Sequence, residues 1–164
     1  MTGAVVWLTG LPSSGKSTLA LRMLGRLREV ARPAAVLDGD EVRDALVPRP
    51  GYTLGERDAF YTTLGRLAAL LARQGLVVIV AATAHRREWR DRARALAPRF
   101  LEVHLDAPAA ECRRRDAKGL YARAVAGLPG AGVEYEAPET PDVAAFGGED
   151  VSALQRILER LAGP

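Results

Sequence analysis

Gly10, Gly15, Lys16 and Ser17 stand at the spacing G-x-x-x-x-G-K-[ST] within LTGLPSSGKST, Leu8 to Thr18. Residue types in this pattern suit one task, holding a polyphosphate. Glycines let the backbone curl so that successive N–H groups point inward, and the positive end of a following helix adds to the attraction. Lys16 offers a compact cation to the outer phosphates, and the Ser17 hydroxyl offers an oxygen to Mg²⁺. The required context is present: an apolar run, Ala4 to Leu8, precedes the loop and a helical pattern follows it. Of 23 basic residues only Lys16 and Lys118 are lysines, and a point charge is what a phosphate site wants from a lysine.

The acidic counterpart is Asp38-Gly39-Asp40, delivered by a short apolar strand, Ala34 to Leu37. In open parallel sheets the carboxyl ends of strands form the ligand crevice, so this triplet is expected to face the phosphate loop. A short helix, Glu41 to Leu46, presents Arg43 one turn beyond Asp40. A continuous apolar run, Leu76 to Ala82, reads as a central buried strand, which makes Thr83 to Arg86 a second crevice loop. His85 on that loop is a candidate substrate contact, whereas His104, inside a strand, reads as structural.

The elements that position these groups follow from periodicity. Leu19 to Val30 is a helix with Leu21, Leu24 and Leu27 at helical spacing, ended by Pro33. Gly55 to Gln74 is a long helix with Leu64, Leu67, Leu70 and Leu71 as its stripe. A helix to about Ala97, a strand Phe100 to Leu105 and a helix Pro108 to Arg115 come next. Val143 to Phe146 is a last short strand, and Val151 to Leu161 a closing helix capped by Asp150. Strands alternating with helices predict an α/β fold, a doubly wound parallel sheet flanked by helices. Residues 117–141, punctuated by glycines and prolines, form an irregular stretch expected to act as a lid, with Lys118 and Arg123 over phosphates.

The length of 164 residues suits one domain, 1–164. A single cysteine, Cys112, excludes an intrachain disulfide, and there is no cysteine–histidine cluster for zinc. With no signal-type or spanning segment, the chain reads as soluble and cytoplasmic, with no membrane role. A net charge of +3 and pI of 9.4 fit small anionic ligands. Arg86, Arg87, Arg90, Arg92, Arg94 and Arg99, mixed with acids, read as a solvated face, and no nucleic-acid module accompanies them.

Four motifs together, LTGLPSSGKST, LDGDEVR (Leu37 to Arg43), RDAKGLY (Arg115 to Tyr121) and YEAPETPD (Tyr135 to Asp142), resemble the adenylyl-sulfate kinases, in the same order over nearly the whole chain. The resemblance implies a P-loop NTPase-type domain with a C-terminal lid, taking ATP and Mg²⁺. It implies transfer of the γ-phosphate to the 3′-hydroxyl of adenosine 5′-phosphosulfate. Gly10, Leu11, Pro12, Ser13, Ser14, Gly15, Lys16, Ser17 and Thr18 would hold the ATP tail, with Arg115 on its adenine. Ser17, and Asp38 through water, would order the metal, while Asp40 would orient or deprotonate the acceptor hydroxyl. Arg43 and Arg57 match family arginines that bind the sulfonucleotide, Lys118 closes over it, and a homodimer is implied.

Several positions depart from the family pattern, three of them, Phe60, Ala84 and Leu128, expected in the acceptor pocket. Phe60 stands where a substrate-contacting asparagine is usual, followed by Thr62 and Thr63 in place of two arginines. The I-S-P-Y-R loop reads Thr83, Ala84, His85, Arg86, Arg87, so no phosphoserine can form at Ala84. The lid aromatic becomes Leu128. Tyr52 and Phe60 offer a replacement stacking surface. These changes leave two other readings open, a related kinase with another small nucleotide or metabolite acceptor, and a nucleotide-binding regulatory module without transfer.

Overall fold

The computed structural model describes residues 2–123 and 125–164. In chain order its elements are β1 (Ala4–Gly10), α1 (Lys16–Glu29), β2 (Ala34–Asp38), α2 (Gly39–Ala45), α3 (Leu54–Arg73), β3 (Val77–Ala81), α4 (Arg87–Leu96), β4 (Phe100–Leu105), α5 (Ala109–Arg115), β5 (Leu128–Pro129), β6 (Gly132–Val133), β7 (Val143–Ala145) and α6 (Val151–Ala162). Five strands form a parallel sheet in the order β2-β3-β1-β4-β7. β1 and β3 are buried at every position, which is why they read as near-continuous apolar runs rather than alternating ones. Leu8 and Asp38 both pair with Ala81, so β1, β2 and β3 deliver their following loops to one edge.

Alternate residues of β1 face opposite layers. Ala4, Val6 and Leu8 pack against Leu19, Met23 and Leu27 of α1 and Leu154 and Ile157 of α6. Val5 and Trp7 pack against Phe60, Tyr61 and Leu64 of α3 and Trp89 and Ala93 of α4. The buried Trp7 Nε1 is satisfied by the Ala82 carbonyl at 3.2 Å.

Two helix faces differ from the leucine spacing. α1 buries Leu19, Ala20, Met23 and Leu27, while Leu21 is 62% exposed; the face is set by Leu19 and Ala20, from which a 3.6-residue period reaches Met23 and Leu27. α3 buries Phe60, Tyr61, Leu64, Gly65, Ala68, Ala69 and Ala72, and Leu70 turns outward. The reason is the close approach of α4. A Cβ on Gly65 would lie 3.1 Å from Ala93 Cβ, so small residues occupy the contact and the leucines move aside.

Helix starts are chemically marked. Thr53 and Glu56 form a reciprocal capping box on α3, and the Asp150 carboxylate accepts from Ala153 N on α6 at 2.9 Å. Among the described residues of 117–141 the only strands are β5 and β6, of two residues each. No helix among the described residues is long and apolar enough to cross a membrane.

The arginine-rich face of α4 is not uniformly solvated. Arg90 is 1% exposed. It donates to Glu102 Oε1 at 2.7 Å and to the carbonyls of Ala84 and Glu136, both at 2.6 Å. Arg90 shares a face with Trp89 and Ala93, so it points at the sheet, and its full set of acceptors makes the burial tolerable.

Candidate active site

Leu11 to Gly15 form the turn between β1 and α1. Gly15 has φ 99°, a left-handed conformation, and a Cβ there would lie 2.3 Å from Gly148 N, so glycine is required on both counts. No side chain caps α1, and its first N–H groups are left for an anion. Lys16 Nζ donates to the carbonyls of Gly10 and Leu11 at 2.9 Å each. Burial, and next the neighbouring Lys118, lowers the Lys16 pKa to about 8. The rest of the loop is tied to residues 117–141: Tyr121 Oη donates to the Pro12 carbonyl at 3.0 Å, and Ser13 Oγ accepts from Ala117 N at 3.1 Å. Ser14 Oγ is buried without a partner among the described residues.

Ser17 Oγ donates to Asp38 Oδ2 at 2.6 Å. The other Asp38 oxygen accepts from Asp40 N at 3.0 Å and so caps α2. A helix cap and a place in the site are thus properties of one side chain.

Two cavities meet here. One, of about 620 Å³, is lined by Ser13, Gly15, Thr18, Arg115 and Phe146 among others. Its wall includes Gly147 and Gly148, which sequence reasoning missed: nothing local marks them, and they lie against the loop because a Cβ on Gly148 would meet Gly15 O at 2.7 Å. The second, of about 360 Å³, is lined by Asp38, Asp40, Arg43, Arg57, Phe60, His85 and Leu128 among others. Lys16, Ser17 and Lys118 line both.

Lys118 forms an ion pair with Asp40. Burial pulls its ammonium down, but the carboxylate outweighs this and the net shift is upward. Arg43 is 3% exposed. Its guanidinium carbon lies 4.0 Å from the Phe60 ring centre and 4.4 Å from that of Tyr52. The stacking surface expected from Tyr52 and Phe60 is therefore turned to Arg43, because a buried cation draws ring faces to itself. Arg57 Nη2 donates to the Gly127 carbonyl at 2.8 Å, joining α3 to residues 117–141.

Aromatic contacts continue inward from Phe60. Its ring meets Tyr61 edge-on at 5.2 Å, Tyr61 stacks on Trp89 at 4.7 Å, and Trp89 meets His85 at 4.8 Å. Tyr61 Oη accepts from Ala84 N at 3.2 Å, fixing the crevice loop where Ala84 has φ 42°. His85 is buried, and burial, then Arg57 and Arg86, pulls its imidazole down to about 4, so the ring is neutral near pH 7. Thr62 and Thr63 donate to the Asp58 and Ala59 carbonyls of their own helix. His104 stays outside both cavities, its ring centre 6.0 Å from that of Tyr135.

A parallel sheet of this order, a phosphate loop at its carboxyl edge and an acidic pair beside that loop define a P-loop kinase. The match to the adenylylsulphate kinase family spans residues 2–145, and the chain belongs to that family. The adenylyl-sulfate kinase of Chloroflexus aurantiacus is 42% identical, over 98% of this chain and 87% of its own length. The solved APS kinase of Mycobacterium tuberculosis in complex with AMPPNP and APS is 34% identical, with a TM-score of 0.91 and 99% of each chain covered. A probable bifunctional SAT/APS kinase of Sorangium cellulosum is 40% identical over 98% of this chain, which spans 29% of that protein's length.

Proposed function

We propose that the protein transfers the γ-phosphate of ATP to the 3′-hydroxyl of adenosine 5′-phosphosulfate, yielding 3′-phosphoadenosine 5′-phosphosulfate and ADP. The observation that carries this reading is the meeting of the two cavities at Lys16, Ser17 and Lys118. One lies over the phosphate loop and takes ATP. The other, rich in arginine, takes a doubly anionic acceptor. Family membership names the acceptor.

Phosphoryl transfer asks for positioning and charge neutralisation rather than covalent chemistry from the protein. Main-chain N–H groups and Lys16 hold the outer phosphates, and Arg115, on the wall of the larger cavity, packs on the adenine. Asp40 accepts the proton of the acceptor hydroxyl as its oxygen bonds to the γ-phosphorus and the bond to the β-phosphate oxygen breaks. Arg43 and Arg57 bind the phosphosulfate, and Lys118, paired with Asp40, moves to the phosphates as residues 117–141 close as a lid. Ser17 and Asp38 supply a hydroxyl and a carboxylate 2.6 Å apart, the hard oxygen donors Mg²⁺ prefers. That ion would neutralise charge on the phosphates.

The test is ATP consumption with Mg²⁺, with and without adenosine 5′-phosphosulfate, the product identified by mass. The 3′-phosphorylated nucleotide supports the reading; ATP untouched in its presence overturns it and moves the search to other hydroxyl acceptors. We extend the proposal to a single domain, a homodimer and a cytoplasmic setting; sedimentation reports the assembly.

A further inference from the structure

We propose that Phe60 is a positioning residue: its ring and that of Tyr52 hold the Arg43 guanidinium in the wall of the acceptor cavity. The inference rests on the acceptor role given to Arg43 above.

A guanidinium is a planar fork of five N–H donors whose direction matters as much as its charge. Arg43 is almost wholly buried, yet its polar partners among the described residues are main-chain carbonyls, Gly51 at 2.9 Å and Pro50 at 3.4 Å, both reached by Nη1. The two ring faces, at 4.0 and 4.4 Å, supply the rest of its surroundings. With one nitrogen engaged by main chain, the remaining donors stay available to an oxyanion in the cavity that Arg43 lines.

The two rings are not equivalent. Tyr52 is 53% exposed, whereas Phe60 is 2% exposed and held through Tyr61 and Trp89. Phe60 is thus the fixed jaw. A phenyl ring has no hydrogen bond to give a substrate, so the change from the family's asparagine moves this position from touching the acceptor to holding the residue that does.

Three variants separate this role from core packing. Phe60→Leu keeps an apolar side chain but loses the π face, while Phe60→Tyr keeps the face. The expected result is a rise in acceptor KM of about tenfold for Phe60→Leu, with kcat and ATP KM unchanged and Phe60→Tyr near wild type. Relaxation of the Arg43 ¹⁵Nε signal is expected to report a looser guanidinium in Phe60→Leu alone. An unchanged acceptor KM with an equally rigid Arg43 overturns the proposal. Should Phe60→Leu fail to fold, Tyr52→Leu, which removes the exposed ring, decides it: a raised acceptor KM together with a looser Arg43 ¹⁵Nε signal supports the clamp, and an Arg43 signal as rigid as in the wild type refutes it whatever the KM. Should the wild type not phosphorylate adenosine 5′-phosphosulfate, the functional reading fails, and the relaxation measurement still judges the clamp.

Discussion

The two cavities are built of different materials. The larger draws on two short stretches, within Ser13 to Thr18 and Phe146 to Asp150, that carry three glycines, joined by Arg115, Ala117 and Lys118. The smaller is lined by bulkier residues, notably Arg43, Arg57, Tyr52, Phe60, His85 and Leu128. Backbone walls recognise what every nucleoside triphosphate shares, and they hold their shape while intervening residues change. Side-chain walls alter with each substitution, and two positions that depart from the family pattern, Phe60 and Leu128, line this cavity, whereas the buried Ala84 and the helix-bonded Thr62 and Thr63 do not.

Lys16→Ala breaks the comparison outright, since Lys16 borders both cavities. Transfer to any acceptor is expected to fall by about a thousandfold or more, as when a charge-stabilising group is removed from a preorganised site, read as ADP release. Asp40→Asn sharpens it: turnover falls by about 10²- to 10⁴-fold while ATP affinity, measured by calorimetry, holds. Equal losses in both would merge the two sites into one. Arg43→Lys keeps the charge and discards the fork, so acceptor KM rises about 10- to 100-fold with ATP KM constant.

The smallest effect concerns His85. In the native state its imidazole stays neutral down to about pH 4, against an ordinary value of 6.5. Between those values the unfolded chain binds the extra proton, so stability falls as pH drops through the window. His85→Phe is expected to flatten the dependence of denaturant-measured stability on pH between about 4 and 6.5. An unaltered slope would mean that the ring titrates normally in the native state.

What was legible in the sequence is what is local. The phosphate loop, the apolar strands and the Asp150 cap each declare themselves within a few residues, and the parallel sheet follows from their alternation. The buried face of α3 was not legible, because alanines win over leucines only where another helix comes close, at Gly65 and Ala93. Arg90 looked like its exposed neighbours, and its burial depends on acceptors at positions 84, 102 and 136. The ring contacts from Phe60 to His85 join three segments of chain, and no spacing rule reaches across them.

The alternation of β1 has an optical consequence. The chain has two tryptophans, and both, Trp7 and Trp89, lie in the layer of α3 and α4. Trp89 also touches Tyr61 and His85. Intrinsic fluorescence therefore views the molecule from one side of the sheet: it registers events in the aromatic layer behind the smaller cavity and is nearly blind to the aliphatic layer beneath α1 and α6.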